Sequence, residues 1–537
     1  MRNKKGFTLI ELLAVIIILA VIALIATPIV LNVIDNARKS ANKDSAYGLL
    51  DSAKLYYMES LLDESKSLSG NLIYKINVSG SKPNSGTVYI NDKGEIALAV
   101  VYDKICFTKN YEDADLTESD DIENCNIPSL PSEPVSKLYK DSILNGADPE
   151  LKDNLVAVTI NTDGTVKKAD IYSEWYNYTN KTWANAVTLK DKTINYEINQ
   201  VIPESNIDGY FVWIPRYKYE IFNLGNYNGY INGKPSTSTE QEIKIVFESK
   251  STSKSTGNVV GSYLTHPAFT LGTEELDGIW VGKFETSGST TDIDVLPNVT
   301  SLRSINVKTM FELAYNYDRS LDSHMMKNTE WGAVAYLSHS EYGINSEIRI
   351  NNSAIFTTGC AAITPALNYV GKSQSDHSEG YYNGCEMEYN TDIGYLSSTT
   401  GNISGIYDMN GGAWEYMASY ISNTYGSSGF DASSISNYDN KYFDIYPADS
   451  VIVTYNKRVL GDATGELGPF YSYKERNGSY YFHSTWGADN GYFVSASSPW
   501  FLRGGDYSLG AIAGSFASSS LAGSAYSGLS FRLVLAD

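Results

Sequence analysis

Residues 7 to 33 form an almost unbroken apolar run whose one charge is Glu11, and it follows the basic leader Met1-Arg2-Asn3-Lys4-Lys5-Gly6. No other stretch limits the fold as much. The run exceeds the roughly 20 residues a membrane-spanning helix needs. It is also longer than the about 7–15 apolar residues of a cleavable secretory signal, and no small-x-small cut site follows it. Arg2, Lys4 and Lys5 keep the leader on the cytoplasmic side, with the rest of the chain outside. A carboxylate in lipid costs a few kcal/mol, so Glu11 calls for a partner beyond its own helix.

Gly6-Phe7-Thr8-Leu9-Ile10-Glu11-Leu12-Leu13 resembles, residue by residue, the processing motif of type IV prepilins and pseudopilins. The resemblance implies that a prepilin peptidase cuts after Gly6 and methylates the new amino terminus on Phe7. It also implies that Glu11 pairs with the amino terminus of a neighbouring pilin subunit. Pro28 stands where pilins commonly bend this helix.

The formal net charge is −21 over 537 residues. This disfavours non-specific binding of nucleic acid or anionic lipid by the part outside the membrane, and no nucleic-acid partner is expected. The four cysteines fall into two local pairs, which outside the cell read as the disulfides Cys106–Cys125 and Cys360–Cys385. The five histidines are scattered, with no Cys/His cluster at zinc spacing. Tyrosine is frequent, at 42 residues. That suits either a paratope-like contact surface or half-buried strand positions, and composition leaves both open.

The helix is expected to continue as an amphipathic segment over 35–65, with Ala46, Leu49, Leu50, Ala53, Tyr57 and Leu61 on one face. Strands are expected at 72–78, 86–90, 95–102 and 105–109, the middle two joined by Asn91-Asp92-Lys93-Gly94. The domain plan is a leader (1–6), a pilin-like helix and head (7–126) and a proline-spaced linker (127–136). A β-rich segment (137–204) follows, either a separate module or an elaboration of the large domain at 205–537. The expected fold class is multidomain α+β: a long transmembrane pilin helix with a small antiparallel sheet, then a large irregular α+β unit.

Within 205–537 five motifs follow in order: Tyr210-Phe-Val-Trp-Ile-Pro215, Ile279-Trp-Val-Gly-Lys-Phe-Glu-Thr286, Asn328-Thr-Glu-Trp331 ahead of a helix over 332–338, Gly405-Ile-Tyr-Asp-Met-Asn-Gly-Gly-Ala-Trp-Glu415, and Phe501-Leu-Arg-Gly-Gly505 with Ser530-Phe-Arg-Leu-Val534. Together they resemble the formylglycine-generating-enzyme (sulfatase-modifying factor) domain, a variant of the C-type lectin fold. In that family the oxidase uses a pair of cysteines near the C-terminus, which bind copper as soft thiolates. Here no cysteine follows Cys385. The histidine cluster of a related iron-dependent branch is also missing. Catalysis is therefore not expected, and the fold is read as a binding scaffold. The resemblance implies a structural Ca²⁺ held by Asn410, Gly411, Ala413 and Glu415. Gly412 stands where the family has Asn, and the alternative is that Glu415 is a satisfied buried acid.

Residues 506–530 contain no Lys, Arg, Glu, Gln, Met, Trp or Pro. This resembles the variable region of diversity-generating-retroelement proteins, in which template adenines are randomised. On that reading Tyr507, Leu509, Ile512, Phe516, Leu521 and Tyr526 are ligand contacts. The alternative is an ordinary Gly/Ser/Ala-rich ending. The expected function is a minor or tip pilin-like bacterial surface protein that presents a protein- or glycan-binding adhesin domain. It is membrane-anchored before assembly and then lies on a pilus or cell surface. The alternatives are a surface-anchored enzyme of the formylglycine-generating family and a structural pseudopilin of a secretion or DNA-uptake system.

Overall fold

The computed structural model describes residues 9–61, 68, 71–78, 81–91, 93–127, 138–152, 154–222, 230–231, 234–235, 242–365, 381–447, 459–466, 471–474, 480–484 and 489–536, with backbone alone for most of 9–32 and for the short strands within 230–235 and 471–484. Gly6, Phe7, the side chain of Glu11 and the linker from 128 onward fall outside this description. The chain divides into two compact units, Met1–Lys137 and Leu138–Asp537. Each closes a hydrophobic core of its own.

In the first unit, α1 runs unbroken over Leu9–Ser60. Among the described residues no helix is long and apolar enough to cross a membrane; most side chains of the expected span at 7–33 lie outside them. The C-terminal half of α1 buries Ala46, Leu49, Leu50, Ala53 and Tyr56 against a four-stranded antiparallel sheet. That sheet comprises β1 (Ser85–Ile90), β2 (Ile96–Tyr102), β3 (Ile105–Lys109) and β4 (Thr117–Ser119), in that order. Two expectations need correction. The helix stops at Ser60, so Leu61 lies past its packed face and is 67% exposed. Residues 72–78 form turns rather than a strand. The Asn71 side-chain oxygen accepts from the Ile73 and Val88 backbone N–H groups, and the Lys75 and Ile76 N–H groups turn back onto Leu72 O. The donors a strand would offer its neighbour are thus used locally. The Cys106–Cys125 disulfide ties β3 to the end of the unit.

The second unit contributes β5 (Val156–Ile160), β6 (Val166–Lys168), β7 (Asn185–Leu189), β8 (Ile207–Pro215), β9 (Gly278–Gly282), β10 (His324–Met325), β11 (Trp414–Ile421), β12 (Asp444–Tyr446), β13 (Trp500–Gly504), β14 (Gly514–Leu521), β15 (Leu529–Ser530) and β16 (Leu533–Leu535), with α2 (Val307–Asn316) and α3 (Asn328–Ser338). One antiparallel sheet has the order β10-β16-β9-β8-β7-β5-β6. A second has the order β12-β11-β13-β14, with β15 parallel to β11. Residues 138–204 share the first sheet with β8 and β9. They are also stitched to it by Tyr178 Oη donating to Trp213 O (2.7 Å) and Trp213 Nε1 donating to Ala147 O (2.9 Å).

Helix α3 begins four residues before the expected Gly332, because side chains wait for its free N–H groups. Glu330 accepts from Lys327 N, Ser419 Oγ from Asn328 N, and Asp444 from Thr329 N. The helix is buried along its whole length, and residues 459–466 cross it at backbone distance. A Cβ on Gly332 would sit 2.0 Å from Gly461 O, so only glycine fits there.

Candidate ligand-binding surface

The segment 405–415 is the hub beneath this surface. Gly411 bridges to Asn351, and a Cβ on Gly411 would meet Asn351 O at 2.4 Å. Asp408 accepts from Asn351 Nδ2 (2.8 Å) and from Gly359 N (2.9 Å), which pins the 351–359 segment to the hub. Glu285 accepts from Ala413 N at 2.8 Å. Glu415 takes Arg532 in two hydrogen bonds, Nε to Oε2 at 3.0 Å and Nη2 to Oε1 at 2.5 Å, with both residues fully buried.

Three buried carboxyl groups therefore face one guanidinium. Burial pushes Glu415 up to about 7 against the pull of Arg532. Burial, Asp408 and Glu415 together push Glu285 well above the usual carboxylate range. Of the residues expected to hold Ca²⁺, Gly411 bridges to the Asn351 backbone, Ala413 N–H donates to the Glu285 carboxylate, and Asn410 donates from Nδ2 to Ile348 O. Glu415 would have to leave Arg532 to reach a metal. Among the described residues no group of three or more His, Cys, Asp or Glu side chains is placed to hold one.

The C-terminal segment leaves the second sheet through Gly504 and Gly505, both left-handed (φ 87° and 85°). A Cβ on Gly505 would lie 2.5 Å from that of Ala513. Tyr507 N–H then donates to Gly412 O (2.9 Å), and Asp506 accepts from Ser508 N and Oγ. This anchors the 506–509 loop on the hub.

The six expected contact residues separate here. Tyr526 is exposed (54%), and Tyr507 is half-buried at the same face. Phe516 and Ile512 are not surface contacts. Phe516 is 1% exposed with its ring 4.5 Å from the His339 ring, and Ile512 is 7% exposed. The reason is that β14 is covered on its outer edge by residues 490–492, where Asn490 N donates to Ile512 O and Ser518 N to Asn490 O. Leu509 packs on Ile350, Ala362 and Ala513, and Leu521 packs on the main core. Small residues dominate 510–523 for the same reason. A Cβ on Gly514 would strike the Asp489 carboxylate, and one on Gly523 would strike Ser428 and Trp500. Within 506–530 the exposed positions are Ser508, Ala525, Tyr526 and Ser527.

Other segments complete the face. Ser353 bridges to Tyr382, and the Cys360–Cys385 disulfide closes the intervening loop. Phe356 sits in the left-handed region at φ 60°, a strained conformation for a bulky residue. Its ring meets Tyr507 edge-on at 5.0 Å, and Tyr507 meets Tyr381 at 5.8 Å. The Arg303 guanidinium stacks on the opposite side of the contact, 3.8 Å from the Phe356 ring centre. Tyr381, Tyr382 and Ile355 are exposed. Sequence reasoning points to neither Phe356 nor Arg303. The doublet Tyr381-Tyr382 beside Cys385 is the one local signal, an aromatic pair inside a disulfide-closed loop.

The family model described as "Prokaryotic N-terminal methylation motif" matches residues 1–27. No curated protein matches the chain. Among solved structures it is similar to a Major Tropism Determinant U1 variant at 11% identity and a TM-score of 0.25, over 87% of this chain and 98% of that one. A score that low fixes neither fold nor function. The amino-terminal segment is a prokaryotic N-methylation motif, the mark of type IV pilin-like precursors that a prepilin peptidase processes and that assemble with other pilins at the bacterial membrane or surface.

Proposed function

We propose that the chain is a minor or tip pilin-like subunit whose second unit is a ligand-binding adhesin or receptor-recognition module. We read that module as a formylglycine-generating-enzyme-type C-type lectin fold used without catalysis. The observation that carries the reading is the ring cluster of Phe356, Tyr507 and Tyr381, drawn from three separate segments over a hub of buried hydrogen bonds, with Tyr382 and Tyr526 exposed on segments bonded to it. Exposed aromatic clusters of this kind mark binding sites. Both cysteines of the unit are joined in a disulfide, which leaves the thiol chemistry of the resembled oxidases without a free thiol. If 506–530 is diversified by a retroelement, the change falls on the loops 506–509 and 524–528, where substitutions cost little stability.

The test is a binding screen of residues 138–537 against bacterial and host cell surfaces, with a Tyr507→Ala/Tyr526→Ala double variant beside the wild type. Binding lost in the double variant with an unchanged melting profile supports the reading. Equal binding by both overturns it. Glu11→Ala in the full chain should reduce incorporation into filaments and leave ligand binding by the full chain unchanged.

A further inference from the structure

We propose that Arg303 anchors a carboxylate of the ligand, and that the ligand is an acidic peptide segment with an apolar side chain beside the acid. The proposal rests on the reading of the aromatic face as the binding surface.

Arg303 is half-buried at the edge of that face. Its guanidinium carbon lies 3.8 Å from the Phe356 ring centre, and Nη1 donates to Ser527 O in the loop that carries Tyr526. Ser304, its neighbour, donates from its backbone N–H to Tyr526 O at 3.1 Å. The side chain is thus fixed on two sides before any ligand arrives.

What it lacks is an anion. Among the described residues no carboxylate lies within ion-pair distance of Arg303, and its buried Nε has no acceptor. Arg216, Arg319 and Arg532 of the same unit are paired with Glu275, Asp322 and Glu415, whereas Arg349 and the fully buried Arg503 bond only to backbone carbonyls. Arg303 differs from those two in standing beside exposed aromatic residues. A chain of net charge −21 has carboxylates to spare, so a guanidinium held open in its aromatic face is a choice of position rather than a shortage of partners. Burial lowers the Arg303 pKa, and the charge of Glu285 opposes this from beyond ion-pair distance. Glu285 is fully buried and bonded to Ala413 N, and its pKa is pushed well above the usual range, first by burial.

An incoming carboxylate meets the accessible part of the half-buried guanidinium, rather than the buried Nε, through charge-assisted hydrogen bonds. The strained backbone at Phe356 keeps the stacking ring in place, so little ordering is left to the binding step. Around this cation the surface is apolar: Tyr381, Tyr382, Ile355 and Tyr526 are exposed. That mixture favours a carboxylate flanked by an aromatic or aliphatic side chain over an acidic sugar, whose ring would leave its hydroxyl groups facing aromatic edges.

The experiment uses residues 138–537, which close their own core. The probes are N-acetyl-phenylalanine, its uncharged amide and glucuronate, followed by NMR line broadening and tyrosine fluorescence. The free acid is expected to bind about tenfold more tightly than the amide, the order of a charge-assisted hydrogen bond. This preference should weaken with added salt. Arg303→Gln should lower binding of the acid to the level of the amide and leave the amide unchanged. Arg303→Lys should keep part of the preference. Equal binding of acid and amide, both weakened by Tyr507→Ala, would overturn the anchor and leave the surface standing. Binding of glucuronate in preference to N-acetyl-phenylalanine would overturn the peptide assignment. Failure of every probe would remove both the anchor and the surface.

Discussion

Replacing Phe516 with alanine separates two roles for the C-terminal segment that its composition alone cannot distinguish. The ring is 1% exposed, lies against His339, and its backbone N–H donates to Asp489 at 2.9 Å. Truncation removes a buried aromatic from a strand held on both edges, by β13 on one side and by residues 490–492 on the other. Because both edges are fixed, the site cannot collapse to fill the void. The cost is therefore set at about 3–5 kcal/mol. With a urea dependence of about 2–3 kcal/mol per M, the unfolding midpoint should fall by roughly 1–2 M. The measurement is urea unfolding of residues 138–537 followed by tryptophan fluorescence, with Tyr526→Ala as the control. Tyr526 is exposed, so its truncation should stay within about 0.5 kcal/mol. A Phe516→Ala variant that unfolds at the wild-type midpoint but loses ligand binding would refute the reasoning, since it would make the ring a surface contact after all.

Arg532→Met strands Glu415 among Glu285 and Asp408 and should cost about 3–5 kcal/mol; adding Glu415→Gln should recover most of that in the same unfolding assay. Glu466 is fully buried with Oε2 accepting from Tyr219 and Tyr336, and burial pushes its pKa up to about 7. A folded-state pKa above the unfolded value near 4.5 means the stabilisation is complete at low pH and fades as pH rises through 7, by up to about 3 kcal/mol. Glu466→Gln should flatten the fall in thermal midpoint between pH 5 and 8 by that amount, and an unchanged slope would remove Glu466 as its source. Replacing Cys360 and Cys385 with serine opens a 25-residue loop. This should lower stability by about 3 kcal/mol and weaken ligand binding through Tyr381 and Tyr382.

Features written in contiguous residues were legible. The processing motif from Gly6 to Leu13, the hairpin around Gly94 and the two cysteine pairs all depend on neighbours close in sequence. The first unit's buried stripe through Ala46, Leu49, Leu50 and Ala53 follows from helical spacing alone. What escaped depends on partners far apart. Phe516 reads as a surface aromatic because its pattern of small polar neighbours suits a loop; only the 490–492 segment, paired to its edge, makes it core. Glu415 reads equally well as a Ca²⁺ ligand or a buried acid, and its partner Arg532, 117 residues on, bonds both its oxygens. Arg303 carries no local signature, since its meaning lies in the carboxylates that are not beside it. Phe356 is hidden for another reason: no residue pattern announces an aromatic in a left-handed backbone.

The position of β16 has a kinetic consequence. Residues 533–535 form an interior strand, inserted between β9 and β10 rather than added at a margin. During synthesis, β9 therefore waits with one side unpaired until residues 533–535 have emerged. Its eventual partner lies about 250 residues further along the chain. Closure at such a distance is slow, and an open β-edge in the meantime invites pairing with other chains. A truncation of the last few residues would thus do more than shorten the protein. It would leave the nascent unit in its most association-prone state, with two open edges facing the gap where the final strand belongs.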